Sequence, residues 1–202
     1  MAQIRMNSLA DLERWLIKNQ INYKYWGVGQ SKTVENLFEE ITKGESGLQN
    51  NPPVRVLSVV QVIIRQGNKV LVEKEQFLSD GRTRARSLPP SEKMHAGEGW
   101  RLGAIRCLEE ELQINSVSTK ILTEMCVARI KEGESVSYPG LRSSYHIFQV
   151  EALIPNLPDR DFFTNEKPDP QADQLVSKHK WGWVPFESLN VLLEKGFGKE
   201  NE

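Results

Sequence analysis

One short segment constrains the fold of this chain more than any other, because it places several charged side chains on a single helix. It begins at Gly97-Glu98 and, eight residues beyond Glu98, continues as Arg106-Cys107-Leu108-Glu109-Glu110-Glu111-Leu112. On a helix, Glu110 and Glu111 lie one turn beyond Arg106 and Cys107. Carboxylates packed this closely repel one another unless a cation, an arginine or water lies between them. The segment therefore predicts a helix whose acidic side chains have a partner.

The segment resembles the Nudix box of the MutT-like pyrophosphohydrolases, in which a Gly-Glu turn leads into a helix carrying an arginine and several glutamates. The positions that agree with the family pattern are Glu98, Arg106, Leu108, Glu110, Glu111 and Ile114. Three positions depart from it: Cys107 replaces the first helix glutamate, Gln113 replaces a glycine, and Glu92 replaces the leading glycine. The resemblance implies the Nudix fold, and the departures indicate a degenerate box.

The resemblance also implies roles for the matching residues. In the family, three glutamates on one helix face hold divalent metal ions, and here that face offers Cys107, Glu110 and Glu111. The implied metal ligands are Glu110, Glu111 and Glu98, and the implied catalytic residues are Glu110, Glu111 and Arg106. The implied cofactor of an active domain is Mg²⁺ or Mn²⁺. A thiol is a poor ligand for Mg²⁺, and Glu109 lies about 200° around the helix from position 107, so one carboxylate is missing.

Three arginines alternate ahead of the helix, at Arg82, Arg84 and Arg86. In extended backbone all three side chains point to one face, and guanidinium groups are well suited to phosphate. Together with Lys93 they form a candidate ligand-binding site, and a solvated loop is the alternative interpretation. Leu88-Pro89-Pro90-Ser91 stands where the family often has Leu-Pro-Gly-Gly. Because Pro90 removes a backbone donor, we expect this part of the site to differ from the family.

Residues 1–50 have the pattern of an N-terminal helical extension. Leu9, Leu12, Trp15 and Leu16 recur at helical spacing after Ser8, which can cap the helix. A second apolar stripe follows Ser31, a candidate cap, and ends at Gly44. The apolar faces of both helices need a partner, either the following domain or another protein chain.

Residues 54–195 have the pattern of a Nudix-like domain, and residues 196–202 form a tail. We predict strands at 54–65 and 69–74 joined by a hairpin at Gln66-Gly67-Asn68, an irregular stretch at 77–99, a helix at 100–113, strands at 117–130, 143–154 and 179–184, a surface segment at 154–177, and a last helix from Pro185. In the 100–113 helix the predicted buried residues are Leu102, Ile105, Leu108 and Leu112. The order predicts an α+β fold, with a Nudix-like mixed sheet packed between helices and the N-terminal helical extension.

Composition excludes several classes of protein. The net charge is −1, from 26 basic and 27 acidic residues, so no overall field favours nucleic acid or an anionic membrane. Two cysteines form no disulfide framework, and the apolar run from Val54 to Ile64 is too short to span a bilayer. The first residues lack the apolar stretch of a secretory signal. We therefore expect a protein of the cytoplasm or of an organelle stroma.

Two functions follow from these observations. The departures at Cys107 and Pro90 favour a weak or non-catalytic Nudix-like domain that binds a phosphate-rich ligand or a protein partner. The retained residues Glu98, Arg106, Glu110 and Glu111 favour the alternative, an active Mg-dependent pyrophosphohydrolase of a nucleoside diphosphate linked to another group. The sequence indicates neither the substrate nor the oligomeric state.

Overall fold

The computed structural model describes residues 4–29, 31–167 and 176–195. Its first two elements are the helices α1 (Leu9–Lys18) and α2 (Val34–Thr42). The Ser8 side chain accepts a hydrogen bond from the backbone of Asp11 and caps α1, as predicted. The cap of α2 is Thr33 rather than the predicted Ser31, because Thr33 and Asn36 cap each other's backbone N–H groups, whereas the Ser31 hydroxyl donates to the Val28 carbonyl.

The remaining chain forms a mixed sheet with two further helices. The strands are β1 (Gly47–Gln49), β2 (Val54–Gln66), β3 (Lys69–Leu78), β4 (Thr83–Leu88), β5 (Ser91–Lys93), β6 (Lys120–Ile121), β7 (Arg129–Glu134), β8 (Arg142–Leu153), β9 (Phe162–Asn165) and β10 (Val176–Pro185). The helices are α3 (Trp100–Glu111) and α4 (Leu189–Lys195). The principal strand order is β6-β8-β2-β3-β10-β9, in which β2 and β8 are parallel and the other neighbours are antiparallel.

Several predictions about the helices and strands are confirmed. The fold is α+β with a mixed sheet, and Gly67 turns the β2–β3 hairpin with a φ of 59°. The box segment forms helix α3, which contacts β2, β5 and β8. A core of apolar side chains separates α3 from the sheet and includes Val60, Leu71 and Val150.

Other predictions about the helices and strands are wrong. The stretch 77–99 is not irregular, because β3 continues to Leu78 and β4 and β5 follow. Residues 117–130 do not form one strand; they contain the two-residue β6 and the start of β7, and the side chains of Val117, Met125 and Val127 are exposed. The surface segment 154–177 contains strand β9, and its residues 168–175 lie outside the described residues, as does the tail 196–202.

The buried face of α3 also differs from the prediction. Leu108 and Leu112 are buried, but Ile105 is only partly buried and Leu102 is 65% exposed. The buried face instead contains Gly103, Ala104, Cys107, Leu108 and Glu111. A Cβ atom on Gly103 would come within 3.2 Å of Met94 and 3.5 Å of Val60, so the small residues let the helix approach the sheet closely.

The N-terminal helices have a core of their own, and the later part of the chain completes it. Leu12, Leu16 and Leu37 pack with Tyr138 and Leu141, all fully buried. The Trp26 indole donates to the Pro139 carbonyl at 2.9 Å. Strand β1 pairs with β2, which joins the extension to the sheet. Tyr138 is therefore a core residue.

No helix within residues 4–29, 31–167 and 176–195 has the length and apolar character needed to cross a lipid bilayer.

A matched pair of leucines on α3 tests this packing. Leu108→Ala should lower the free energy of unfolding by about 2–5 kcal/mol, because it removes buried methyl groups and leaves a cavity. Leu102→Ala, at the exposed position of the same helix, should change it by no more than about 0.5 kcal/mol. Urea unfolding followed by circular dichroism measures both, and equal losses in the two variants would contradict the assigned helix face.

Candidate functional site

Arg106 links three parts of the chain around α3. Its Nε and Nη2 atoms donate to the Glu98 carboxylate at 3.1 and 3.0 Å, and Nη1 donates to Glu110 Oε2 at 3.0 Å. Nη2 also donates to the backbone carbonyl of Lys93 at 2.5 Å. One guanidinium therefore joins the Gly-Glu turn, strand β5 and the helix.

The two carboxyl groups bound by Arg106 respond differently to their surroundings. Burial opposes ionisation of Glu98, but hydrogen bonds from Arg106 and from the His95 backbone lower its pKa. Burial raises the pKa of Glu110, because the attraction of Arg106 only partly offsets it and the charge of Glu166 adds to it. Both carboxylates already have a cationic partner in Arg106.

A cavity of about 540 Å³ lies beside α3, and side chains from both the extension and the sheet line it. Its basic lining residues are Lys32, Arg55, Arg84, Arg86, Lys93 and His179. Its acidic lining residues are Glu92, Glu111 and Glu166. Cavities of roughly 300–1,000 Å³ accommodate small-molecule ligands. This cavity is the candidate functional site.

Glu111 is the residue of helix α3 that lines the cavity. Its side chain lies on the inner face of α3 and the residue is only 4% exposed. Its Oε2 atom has no hydrogen-bond partner in the described part of the chain. Burial, followed by the nearby charges of Glu73 and Glu92, raises its pKa well above the ordinary value for glutamate. Burial and these neighbouring charges therefore oppose ionisation of Glu111.

His179 also lines the cavity and lies between two carboxylates. Its Nδ1 atom is hydrogen-bonded to Glu73, and its Nε2 atom to Glu166. Burial alone would lower the pKa of His179, but Glu166 and Glu73 raise it to about 10. The imidazole therefore carries a positive charge at neutral pH.

Sequence reasoning missed this histidine and its two partners. A signal was present in β3, because Glu73 interrupts the buried apolar run Val70-Leu71-Val72 and is itself 2% exposed. A charged residue in such a run requires a buried partner. The sequence could not identify His179 as a partner of Glu73, because it lies 106 residues away.

The structure separates the three predicted arginines. Arg84 and Arg86 line the cavity, as does the predicted Lys93. Arg82 precedes β4, is exposed, and binds Asp80 and the Gly29 carbonyl instead. The alternation that places Arg84 and Arg86 on one face of β4 therefore does not extend to Arg82.

Arg84 differs from Arg86 in its partner. Arg86 pairs with the buried carboxylate of Glu73 at 3.2 Å. Arg84 donates through Nε to the neutral amide oxygen of Gln76 at 2.9 Å, and it has no carboxylate partner among the described residues. Burial and the charge of Arg86 lower the pKa of Arg84. It is a partly buried cation at the cavity wall that forms no salt bridge within the described residues; the Glu73 carboxylate attracts it but is already bound by Arg86 and His179.

The predicted metal ligands Glu98, Glu110 and Glu111 have different surroundings in the structure. Arg106 binds Glu98 and Glu110, whereas Glu111 faces the cavity. Cys107 is fully buried in the core, where burial and then the charges of Glu111 and Glu92 raise its pKa well above the ordinary value for a thiol. Among the residues that the structure describes, no three His, Cys, Asp or Glu side chains are grouped so that they could hold a metal ion.

Comparison with known proteins gives likenesses to solved structures only. No family model matches the chain, and no curated protein matches it. A Nudix hydrolase from Nitrosomonas europaea is 16% identical, with 71% of this chain and 80% of that one covered at a TM-score of 0.39. A C. elegans Ap4A hydrolase in a binary complex is 16% identical, with 68% and 84% covered at a TM-score of 0.38. A Nudix hydrolase from M. smegmatis is 13% identical, with 74% and 86% covered at a TM-score of 0.41. These likenesses assign neither a family nor an activity to the chain.

The electrostatic state of Glu111 can be tested through stability. Because its pKa is raised in the folded protein, stability is lost as the pH rises above about 4.3, the unfolded value. Glu111→Gln removes this loss, so the melting temperature of the variant relative to the parent should increase between pH 5 and pH 8. Glu109→Gln, on the same helix but outside the cavity lining, is the control. A Glu111→Gln variant that melts below the parent at pH 8 would contradict the assignment.

Proposed function

We propose that this chain is a Nudix-like domain that binds a phosphate-rich small molecule in the cavity beside α3. The observation that carries the proposal is Arg84, a partly buried cation at the cavity wall with a neutral partner. A charge that is partly removed from water and hydrogen-bonded only to a neutral group is costly. A phosphate oxygen supplied by a ligand would offset this cost, and the planar guanidinium suits it.

The other basic side chains extend the same surface. Arg86 lies two residues along β4, and Lys93 comes from β5. Their positive charges attract an anion, and water screens this attraction less inside a cavity than on a flat surface. The site is concave, which favours a small molecule over a protein partner.

The box has a structural role in this proposal. Arg106 links Glu98, Glu110 and the backbone of Lys93, and so holds β5 and its lysine against the helix. Cys107 contributes an apolar contact in the core, where a glutamate would need a cation. Three of the family's charged positions thus maintain the wall of the cavity without a metal ion.

Hydrolysis is the second candidate function, and the unpartnered Oε2 atom of Glu111 favours it. The lining carboxylates Glu92 and Glu111 offer hard oxygen donors, which fit Mg²⁺ or Mn²⁺ chemically. An ion held by them would neutralise phosphate charge and activate water. The substrate would be a nucleoside diphosphate linked to another group. Glu98 and Glu110 would first have to release Arg106 in order to contribute.

Pyrophosphate binding tests the proposal. Isothermal titration with inorganic pyrophosphate should show binding that Arg84→Gln weakens about tenfold or more, because one charge-assisted hydrogen bond contributes about 1.5–3 kcal/mol. Arg82→Gln is the matched control, since Arg82 lies outside the cavity lining and is paired with Asp80. Equal affinity in the parent and in Arg84→Gln would reject the site.

A phosphate-release screen separates binding from hydrolysis. The chain is incubated with a panel of phosphoanhydrides in the presence of Mg²⁺ and then Mn²⁺. We expect no release above that of Glu111→Gln, because Arg106 holds two of the carboxylates that the family uses. Release by the parent that disappears in Glu111→Gln would instead establish the hydrolase.

A further inference from the structure

A second group of basic side chains in the cavity surrounds one buried carboxylate, that of Glu40 in α2. Lys32 Nζ and Lys93 Nζ lie 2.8 and 2.6 Å from its Oε1 atom. Arg55 Nη2 lies 2.7 Å from its Oε2 atom. Within the described residues, this group shares no hydrogen-bond partner with Arg84 or Arg86, which bind Gln76 and Glu73.

Positive charge exceeds negative charge in this group. Glu40 neutralises one of the three cations, and Glu45 accepts a second contact from Lys93 at 3.1 Å. In the described part of the chain, the Lys32 ammonium donates to Glu40. Arg55 and Lys93 bind the same carboxylate. An ammonium has three N–H donors, so Lys32 and Lys93 keep donors for another anion. Burial and then the charge of Lys93 lower the pKa of Lys32, as expected where positive charge is in excess.

Glu40 itself is already fully engaged. Besides the three cations, its Oε2 atom accepts the Ser46 hydroxyl at 3.0 Å. It is 5% exposed and so is covered by its partners rather than by solvent. One cation would be enough to neutralise the Glu40 carboxylate, but three cations contact it. The two lysines, by contrast, are 29% and 24% exposed at their side chains and line the cavity.

The backbone fixes both lysines in place. The Lys32 N–H donates to the Ser137 carbonyl at 2.8 Å, which joins the extension to the turn before β8. The Lys93 carbonyl accepts from Arg106 at 2.5 Å. The ammonium groups therefore project from two anchored backbone positions, one in the extension and one in β5.

We infer that Lys32 and Lys93 form a second anion subsite of the cavity, so that the ligand is a small molecule with two separate anionic groups. One phosphate binds at Arg84 and Arg86, and the second anionic group, a phosphate or a carboxylate, binds at Lys32 and Lys93. The inference rests on the proposed function, because the same cavity holds both subsites. It also gives the N-terminal extension a role in recognition, through Lys32.

Simple bisphosphates test the inference. Titration calorimetry compares hexyl phosphate with the bisphosphates of 1,3-propanediol and 1,6-hexanediol. For the parent, at least one bisphosphate should bind roughly tenfold tighter than hexyl phosphate, the size expected for an added charge-assisted contact. Lys32→Gln should remove this advantage, so that neither bisphosphate binds tighter than hexyl phosphate does to the same variant. Lys24→Gln is the control, because Lys24 is exposed and lies outside the cavity lining. A phosphate monoester with the same spacers that ends in a carboxylate then distinguishes a phosphate from a carboxylate at the second subsite.

The outcomes are distinct for the two proposals. Equal affinity for the mono- and bisphosphates, or an advantage that persists in Lys32→Gln, would overturn the second subsite while leaving the Arg84 site intact. Pyrophosphate affinity that is equal in the parent and in Arg84→Gln would overturn the proposed function. Melting curves of Lys32→Gln and Lys24→Gln verify that each variant is folded, and Lys93→Gln provides a second variant of the subsite.

Discussion

The contacts of Arg106 are the interaction on which the rest of this site depends. Three nitrogen atoms of one guanidinium reach the Gly-Glu turn, the helix and the backbone of β5. Burial would lower the pKa of Arg106, but Glu98, Glu92 and Glu110 raise it, so its charge is maintained. Because β5 carries both Glu92 and Lys93, the position of this arginine fixes two side chains of the cavity wall.

Cys107 fits its position on α3 because that position lies in the apolar core. A glutamate at this fully buried place would need a cation beside it. A thiol needs none, and it packs with the apolar core between α3 and the sheet. What remains in the cavity is a surface of basic side chains next to carboxyl groups with raised pKa values, at Glu92 and Glu111. Such a surface suits an anionic ligand.

The sequence predicted the helix, the β2–β3 hairpin and the α+β order, because local signals determine them. Gly67 marks the hairpin, and the charged motif marks α3. It was wrong about Leu102, because the packing face of α3 depends on the small residues Gly103 and Ala104 rather than on the largest apolar ones. It also missed β4, whose alternation of partly buried arginines and exposed residues resembles a solvated loop.

The candidate site was less predictable than the fold, since its contacts join residues far apart in the chain. Arg84 and Arg86 were identified from their alternation, but Arg82 was grouped with them although it binds Asp80. The His179–Glu73 contact joins residues 106 positions apart, and the contact of Glu40 with Lys93 crosses from the extension into the sheet. Periodicity and motifs do not carry such information.

A crystal structure of the chain with inorganic pyrophosphate and without added metal would show directly whether the cavity binds phosphate. We expect pyrophosphate density in the cavity, in contact with the Arg84 guanidinium, while Arg106 still binds Glu98 and Glu110. Pyrophosphate bound outside the cavity, or a cavity that is empty while pyrophosphate binds in solution, would contradict it.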